Sequence, residues 1–282
     1  MLKFSKTLIF ALSLSLVSAV SVMAQDDPPP SPWSFEAELS AVNAGGNQES
    51  RTFGTDAKAT YKKAKSELVL RAGGLYQESA LKTRTANGDS ASFVVQETKV
   101  TEKTAESYYA RARYDYNVSP RFLVFGGIDW MRNTFAGIDS RTLIAAGAGN
   151  TWQDNDKVKF KTYYSATYTF QTDVVENPFV KSDFPGARFG FDFWSQLSET
   201  VEFQSKFVGD LNLDNTDDVR FEWDNALPIR VSSILAFKPA LLLMWRNQPS
   251  LTTVSLVPGP GNVAVPLEKL DTFASVALLV KL

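Results

Sequence analysis

Histidine and cysteine are both absent from the 282 residues of the sequence. Without histidine, the chain cannot form a Ser-His or Cys-His nucleophile, a histidine general base or a histidine-bound zinc site. Without cysteine, it has no disulfides and no thiolate metal ligands, so other interactions must stabilise the fold. A basic excess is absent too, because the formal net charge is −2, and we therefore predict no nucleic-acid partner.

Long apolar runs are scarce, and the one that is present lies at the N-terminus. Two lysines precede an apolar segment at residues 7–22, and residues 22–24 fit the small-x-small rule for cleavage. This pattern predicts a cleaved secretory signal peptide at 1–24, followed by a proline-rich leader at 25–32. No later stretch approaches the ~18 consecutive apolar residues of a membrane helix.

From residue 33 onwards, apolar side chains recur at every second position, which is the period of a β-strand. The pattern predicts about twelve strands, and they are longer than the usual 5–6 residues and suit tilted membrane-spanning strands of about 9–11 residues. The predicted strands are 33–43, 51–63, 66–78, 104–117, 121–132, 140–153, 157–171, 186–197, 201–212, 219–231, 234–247 and 268–282.

The predicted connections alternate in length along the chain. Tight turns, such as 118–120 and 154–156, alternate with longer segments, of which 79–103 is the longest. Short turns on one side, longer loops on the other and an even strand number are typical of transmembrane barrels. We therefore predict that residues 33–282 form an all-β, antiparallel transmembrane β-barrel with short periplasmic turns and longer extracellular loops. Segment 79–103 is predicted to be a loop and is a candidate constriction of the lumen.

Each predicted strand has one face nearly free of charge and one face that carries charged residues. An Arg or Lys that faces lipid at the bilayer midplane costs about 2–4 kcal/mol, so a bilayer enforces this segregation. The candidate lumen-lining residues are Arg71, Arg111, Arg113, Asp129, Arg141, Lys159, Lys161, Arg188, Asp192, Lys206, Arg220, Glu222 and Asp224.

Aromatic residues near the strand ends distinguish a membrane barrel from a soluble sandwich, which would show the same alternation. They lie on the uncharged face, where the interfacial girdles of membrane barrels form. The candidate girdle residues are Trp33, Tyr61, Tyr76, Tyr116, Trp130, Trp152 and Trp245.

Three segments carry a recognisable pattern: YDYNVSPRFLVF at 114–125, NTFAGIDSRTLIAAGAGNTW at 133–152 and PLEKLDTFASVALLVKL at 266–282. With F-A-G-I-D, a following Arg and G-x-G, the chain resembles the salt-induced outer-membrane proteins of Gram-negative bacteria, an uncharacterised family of β-barrel domains. The resemblance covers most of the mature chain and implies an outer-membrane location after Sec-type export. It supplies no functional residues, and Asn133 stands where the family pattern leads us to expect Asp.

The residues favour a non-enzymatic barrel with a narrow or closed lumen, and the resemblance implies a role in envelope integrity or salt stress. Charges of both signs face the predicted lumen, which fits a charge-compensated interior. The row Lys157, Lys159 and Lys161 leaves open a small-solute channel with a mild anion preference. The expected partners are outer-membrane lipid, lipopolysaccharide and, during biogenesis, the barrel assembly machinery.

An outer-membrane hydrolase is the third alternative. It would use a Ser-Lys site or paired carboxylates, such as Glu36 with Glu38 or Glu222 with Asp224. Alternation along a strand produces such pairs without any function, and neighbouring cations favour ion pairs instead. We predict no catalytic, cofactor-binding or metal-binding residues.

Overall fold

The alternating segments form long strands, which a computed structural model joins edge to edge into a closed, twelve-stranded antiparallel barrel. The structure describes residues 31–44, 49–88, 93–177, 181–256 and 261–281. The predicted signal peptide and all but the last two residues of the predicted leader lie outside the described residues. Within those ranges, no helix is long and apolar enough to cross a membrane.

The strands follow the predicted order along the chain. Their bounds are β1 Trp33–Ala44, β2 Glu49–Lys63, β3 Ser66–Gly88, β4 Phe93–Ser119, β5 Phe122–Asn133, β6 Ile138–Asp154, β7 Val158–Asp173, β8 Asp183–Gln196, β9 Glu202–Asn212, β10 Val219–Ala226, β11 Ile229–Arg230, β12 Leu235–Arg246, β13 Leu251–Ser255, β14 Asn262–Pro266 and β15 Leu270–Lys281. Strands β10 and β11 form one barrel strand that is interrupted at Pro228, which has no N–H to donate to the ladder. Strands β13 and β14 pair with each other in a separate hairpin.

The barrel closes because the last strand pairs with the first. Each strand from β1 to β9 pairs with the next, β12 pairs with both β10 and β15, and β15 pairs with β1. At this seam Ala37 lies opposite Val280, and Leu39 lies opposite Leu278. Closure lets the barrel strands hydrogen-bond their backbone groups to one another, which is required where the surroundings offer no partners.

Four of the short turns share one local device. Ser119, Asn155, Ser198 and Ser232 each accept backbone N–H bonds from residues two and three positions later, through the side-chain oxygen. Such Ser and Asn side chains satisfy turn N–H groups that have no ladder partner. These turns, with the one at 64–65, lie at the end of the barrel where β1 begins and β15 ends, and the longer connections lie at the opposite end.

The two faces of the wall have opposite chemistry. Outward-facing aromatic and aliphatic residues are exposed, as Phe53 is at 54%, whereas the inward-facing Arg220 and Lys238 are each 7% exposed. A protein that folds in water shows the reverse, with apolar side chains inside and charged ones outside. This inverted arrangement is that of a barrel surrounded by lipid.

The structure corrects the prediction for segment 79–103, which is not a loop. Strands β3 and β4 continue as a paired ribbon from Glu78 opposite Lys103 to Gly88 opposite Phe93, after a register shift at Gln77/Glu78. The segment is rich in Thr and Val, which favour strands, but it is polar on both faces. Because this ribbon extends beyond the barrel wall, its strands need no apolar face. The alternation that predicts the other strands is therefore missing here. The described residues 79–88 and 93–103 pair as this ribbon and are not among the lining residues of the two lumen cavities.

Cysteine cross-linking can test the closure, because the native chain has no cysteine. We expect the double variant Ala37→Cys/Val280→Cys to form a disulfide on oxidation, since cross-strand Cα distances of about 4.5–5.5 Å fall within the disulfide range. The offset variant Ala37→Cys/Ala277→Cys serves as the control and should stay reduced. The measurement is non-reducing electrophoresis, and equal cross-linking of both pairs contradicts this register.

Candidate functional site

A large cavity of about 590 Å³ lies in the lumen, and we call it the chamber. It extends from Lys281 and Glu202, near the short-turn end, to Arg111, Asp129 and Arg188 near the middle of the barrel. Towards the longer connections, the lumen holds a cavity of about 20 Å³, which is space for little more than one water molecule. The candidate site is therefore a chamber that is closed at one end.

An ion pair crosses the lumen at the inner end of the chamber. Arg111 Nη2 donates to Glu222 Oε2 at 2.9 Å, and Arg141 Nη2 lies 3.5 Å from Glu222 Oε1. Strands β4 and β10 are six positions apart in a ring of twelve strands, so Arg111 and Glu222 reach each other from opposite walls. This contact occupies the centre of the barrel.

Arg188 forms a second bridge at the same level. Its Nη1 donates to Asp129 Oδ2 of β5 at 2.6 Å, and its Nε donates to Asp210 Oδ1 of β9 at 2.7 Å. A guanidinium can serve two carboxylates because it presents five N–H donors in a fixed plane. Arg188 therefore connects walls that are three strands apart.

The connection between β5 and β6 closes the outer end, and we call its residues 134–137 the strap. The Ala136 carbonyl accepts a hydrogen bond from Arg246 Nη1 of β12 at 3.1 Å, across the ring from β5. Gly137 has a φ of +70°, and a Cβ there would lie 2.5 Å from the Cβ of Ser250. Ala136 packs in a buried apolar cluster with Met131 and Ile138. The strap therefore fills the lumen rather than projecting into solvent.

Asp218 holds the β9–β10 connection against the barrel. It lies just outside β10, where Arg220 Nε donates to its Oδ1 at 2.9 Å and Asn212 Nδ2 donates to its Oδ2 at 3.3 Å. Burial opposes ionisation of this carboxyl group, but the hydrogen bonds and charge of Arg220 outweigh burial and lower the pKa of Asp218 below its usual value.

Inside the chamber, Arg113 is held between two aromatic rings. Its guanidinium carbon lies 3.9 Å from the ring centroid of Phe125 and 3.9 Å from that of Tyr163. The guanidinium also donates to both oxygens of Asp115, at 2.6 and 3.2 Å. Tyr163 in turn donates to Asp192 at 3.0 Å. This arrangement fixes a cation in one orientation in the chamber wall.

The candidate lumen residues are divided between the two cavities. The large chamber is lined by Arg71, Arg111, Arg113, Asp129, Lys159, Lys161, Arg188, Asp192 and Lys206. The small cavity is lined by Arg141, Arg220 and Glu222, and Asp224 lines neither, lying opposite Lys206 in the ladder.

Sequence reasoning missed several side chains of this site. Lys238 Nζ lies 2.6 Å from Glu38 in the chamber, although its strand is otherwise almost uncharged. Tyr163 and Trp194 also face the chamber, although aromatic residues were expected on the outer face. Their parity in β7 and β8, which matches that of Lys161 and Asp192, was the signal that could have placed them inside.

The carboxylates proposed for a hydrolytic site are mostly engaged in ion pairs. Glu36 contacts Lys58 at 3.2 Å, Glu38 contacts Lys238, and Glu222 contacts Arg111. A carboxylate held by a cation is a poor proton acceptor for general base catalysis. The geometry therefore favours structural pairs over an acid–base pair.

The candidate girdle residues form two groups. Trp33, Tyr61, Tyr116 and Trp152 lie near the short-turn end, where the rings of Trp33 and Tyr61 are 5.0 Å apart and Trp152 is 59% exposed. Tyr76, Trp130 and Trp245 lie towards the other end, where Trp245 stacks on Phe221 at 5.5 Å. Their role at the two membrane interfaces stays a prediction.

The sequence matches one family model, described as "Protein of unknown function, DUF481", over residues 37–255. The chain belongs to this family. The DUF481 match covers β1 to β13 and therefore most of the barrel. It carries no functional description, so the salt-induced character inferred from resemblance stays a prediction. No curated protein matches the sequence.

Solved structures with similarity to this DUF481 chain include three outer-membrane proteins. The COG4313 outer membrane channel from Pseudomonas putida F1 has a TM-score of 0.45 and 10% identity, covering 91% of this chain and 99% of that chain. The NanC porin has a TM-score of 0.42 and 8% identity, covering 88% and 97%. The KdgM porin in complex with disordered oligogalacturonate has a TM-score of 0.39 and 6% identity, covering 88% and 96%.

The double bridge of Arg188 gives a prediction for stability. We expect Arg188→Ala to lower the free energy of unfolding by about 3–5 kcal/mol, because Asp129 and Asp210 lose their shared cation inside the barrel. Urea unfolding of the refolded barrel measures this change. The control Lys181→Ala removes an exposed ion pair with Asp214 and should cost less than about 1 kcal/mol. Equal effects of both variants would contradict a structural role for the bridge.

The lowered pKa of Asp218 gives a prediction for pH dependence. A carboxyl group with a depressed folded-state pKa stabilises the fold above its unfolded pKa, and this stabilisation is lost as pH falls through the folded pKa. We expect Asp218→Asn to destabilise the barrel at about pH 7, and the difference from wild type to shrink below about pH 4. The exposed neighbour Asp217 provides the control Asp217→Asn. A difference that stays constant with pH disproves the linkage.

Proposed function

We propose that the protein is a non-enzymatic outer-membrane barrel whose lumen is closed at the outer end in its resting state. The supporting observation is the Arg111–Glu222 ion pair across the centre of the barrel, at 2.9 Å. The strap and the buried cluster of Met131, Ala136 and Ile138 fill the lumen beyond it. Two independent obstructions in series support a closed lumen better than an open pore.

The outer-membrane location is part of the proposal. It is supported by the closed ring of strands, by the apolar outer face and by the predicted export signal. We place the short turns in the periplasm and the longer connections at the cell surface, in contact with lipopolysaccharide. The barrel assembly machinery is the proposed partner during insertion. A role in envelope integrity under salt stress follows from the family resemblance and belongs to the same proposal.

A small-solute channel with a mild anion preference is the second candidate. It is favoured by the chamber, whose lining includes Lys159, Lys161 and Lys206. For conduction, the Arg111–Glu222 contact would have to open and the strap would have to move. The two candidates therefore differ in the state of the outer half of the lumen, and one measurement separates them.

The test is the conductance of the refolded protein in a planar bilayer. We expect the wild type to show no stepwise current. The variant Arg111→Gln/Glu222→Gln/Gly137→Leu should conduct, because it removes the central ion pair and adds a side chain where the strap contacts Ser250. The control Lys181→Gln, on an outer connection, should stay silent. Regular stepwise currents from the wild type would overturn the closed state in favour of a channel.

A further inference from the structure

One wall of the chamber differs from the others in its charge balance. On the remaining walls, the lining cations are paired, as Lys58 is with Glu36, Arg71 with Asp56 at 3.0 Å and Lys238 with Glu38. Lysines 159, 161 and 206 line the wall built from β7, β8 and β9. Among the residues that the structure describes, none of these three has a carboxylate within 4.0 Å of its ammonium group.

The chamber-lining carboxylates of this wall are Asp192 and Glu202, and Glu202 is already engaged by Arg230 and Lys281, each at 3.6 Å. Asp192 lies between two of the three lysines. In the ladder it is opposite Lys161 on one side and Lys206 on the other, and it accepts the Tyr163 hydroxyl at 3.0 Å. Because Glu202 has its own cation partners, three unpaired ammonium groups face one remaining carboxylate, which leaves an excess of positive charge on this wall. Because the chamber is enclosed by protein, water screens that charge less than it would on an open surface.

An aromatic ring lies beside the unpaired lysines. Trp194 is opposite Lys159 in the ladder, and the Lys159 ammonium lies 5.4 Å from the centroid of its ring. The indole N–H donates to Glu202 at 3.1 Å, which fixes the orientation of the ring in the chamber. A fixed aromatic surface beside cationic donors suits a ligand that has both an apolar ring face and a negative charge.

We propose that the β7–β9 wall of the chamber binds a small anionic sugar, meaning a pyranose that carries a carboxylate or a phosphate group. Lys161 and Lys206 hold the anionic group, and the ring of the sugar packs against Trp194, with Lys159 donating to a hydroxyl or the anion. The chamber volume of about 590 Å³ falls in the usual range for small-molecule sites. The inference rests on the proposed function in one respect, namely that a chamber closed at its outer end retains the sugar.

Calorimetric titration of the full-length refolded barrel in detergent tests this site. The probes are glucuronate, glucose 6-phosphate, inorganic phosphate and glucose. We expect saturable binding of the two sugar anions, weaker binding of phosphate because it lacks the ring, and no binding of glucose because it lacks the charge.

Three variants locate the site. Lys161→Gln/Lys206→Gln should weaken glucuronate binding by at least about tenfold, the effect expected from losing charge-assisted hydrogen bonds. Asp192→Asn should tighten it, because it removes the carboxylate that lies between Lys161 and Lys206. The control Lys157→Gln makes one such Lys-to-Gln change in the turn just before β7, outside the chamber lining, and should leave binding within about twofold.

Several results overturn the proposal: no saturable binding of either sugar anion, glucose binding as tightly as glucuronate, or phosphate binding as tightly as glucose 6-phosphate. Weakening by Lys157→Gln equal to that of the double variant overturns it as well. Electrophoretic mobility before and after heating shows that each variant has folded. Conductance tests the closed lumen and calorimetry tests the sugar site, so either conclusion can fail without the other.

Discussion

Each backbone N–H and C=O of the barrel strands must find a hydrogen-bond partner, and the rest of the structure depends on this need. Hydrocarbon offers these groups no hydrogen bonds, so a spanning sheet must have no free edge. Two prolines of the wall near the short turns show how the chain meets this demand. Pro228 and Pro239 cannot donate, but both carbonyls still accept, from Glu202 N and Leu227 N at 3.0 Å each. Both prolines lie in the half of the barrel near the short turns, close to water that can satisfy what the ladder loses there.

Closure in lipid also decides where the charges must be. Since charged side chains are costly on the lipid face, charged residues in the middle of the spanning strands, such as Arg111 and Glu222, are directed into the lumen. A lumen of twelve strands is narrow enough for opposite walls to meet, and Arg111 and Glu222 do so at 2.9 Å. The same ion pair therefore compensates the charges and closes the lumen of this barrel. The closure is most complete in the outer half of the lumen, where the strap accepts a hydrogen bond from Arg246.

The parts of the fold that depend on local pattern could be predicted from the sequence. Period-two alternation gave twelve strands in the correct order and the end at which the short turns lie. The outer ribbon of β3 and β4 was missed because strands beyond the membrane need no apolar face. The contacts of the site could not be predicted, because they depend on which strands lie opposite each other and on their stagger. Arg111 and Glu222 are 111 positions apart. Trp194 has the character of a lipid-facing residue, and only its spacing of two positions from Asp192 indicates that it faces inward.

A closure built from ion pairs has a consequence that an apolar plug would lack. Exposing apolar surfaces to water raises the free energy, whereas charged groups that separate regain hydration. An ionic contact beside a chamber that can hold water therefore costs less free energy to open than an apolar contact. Arg111 and Arg188 line the chamber and also form the closing pairs. An anion that reached these guanidinium groups would compete with Glu222 and Asp129 for them. If its affinity differs between the closed and open lumen, linkage requires that its binding shifts that equilibrium by the same factor.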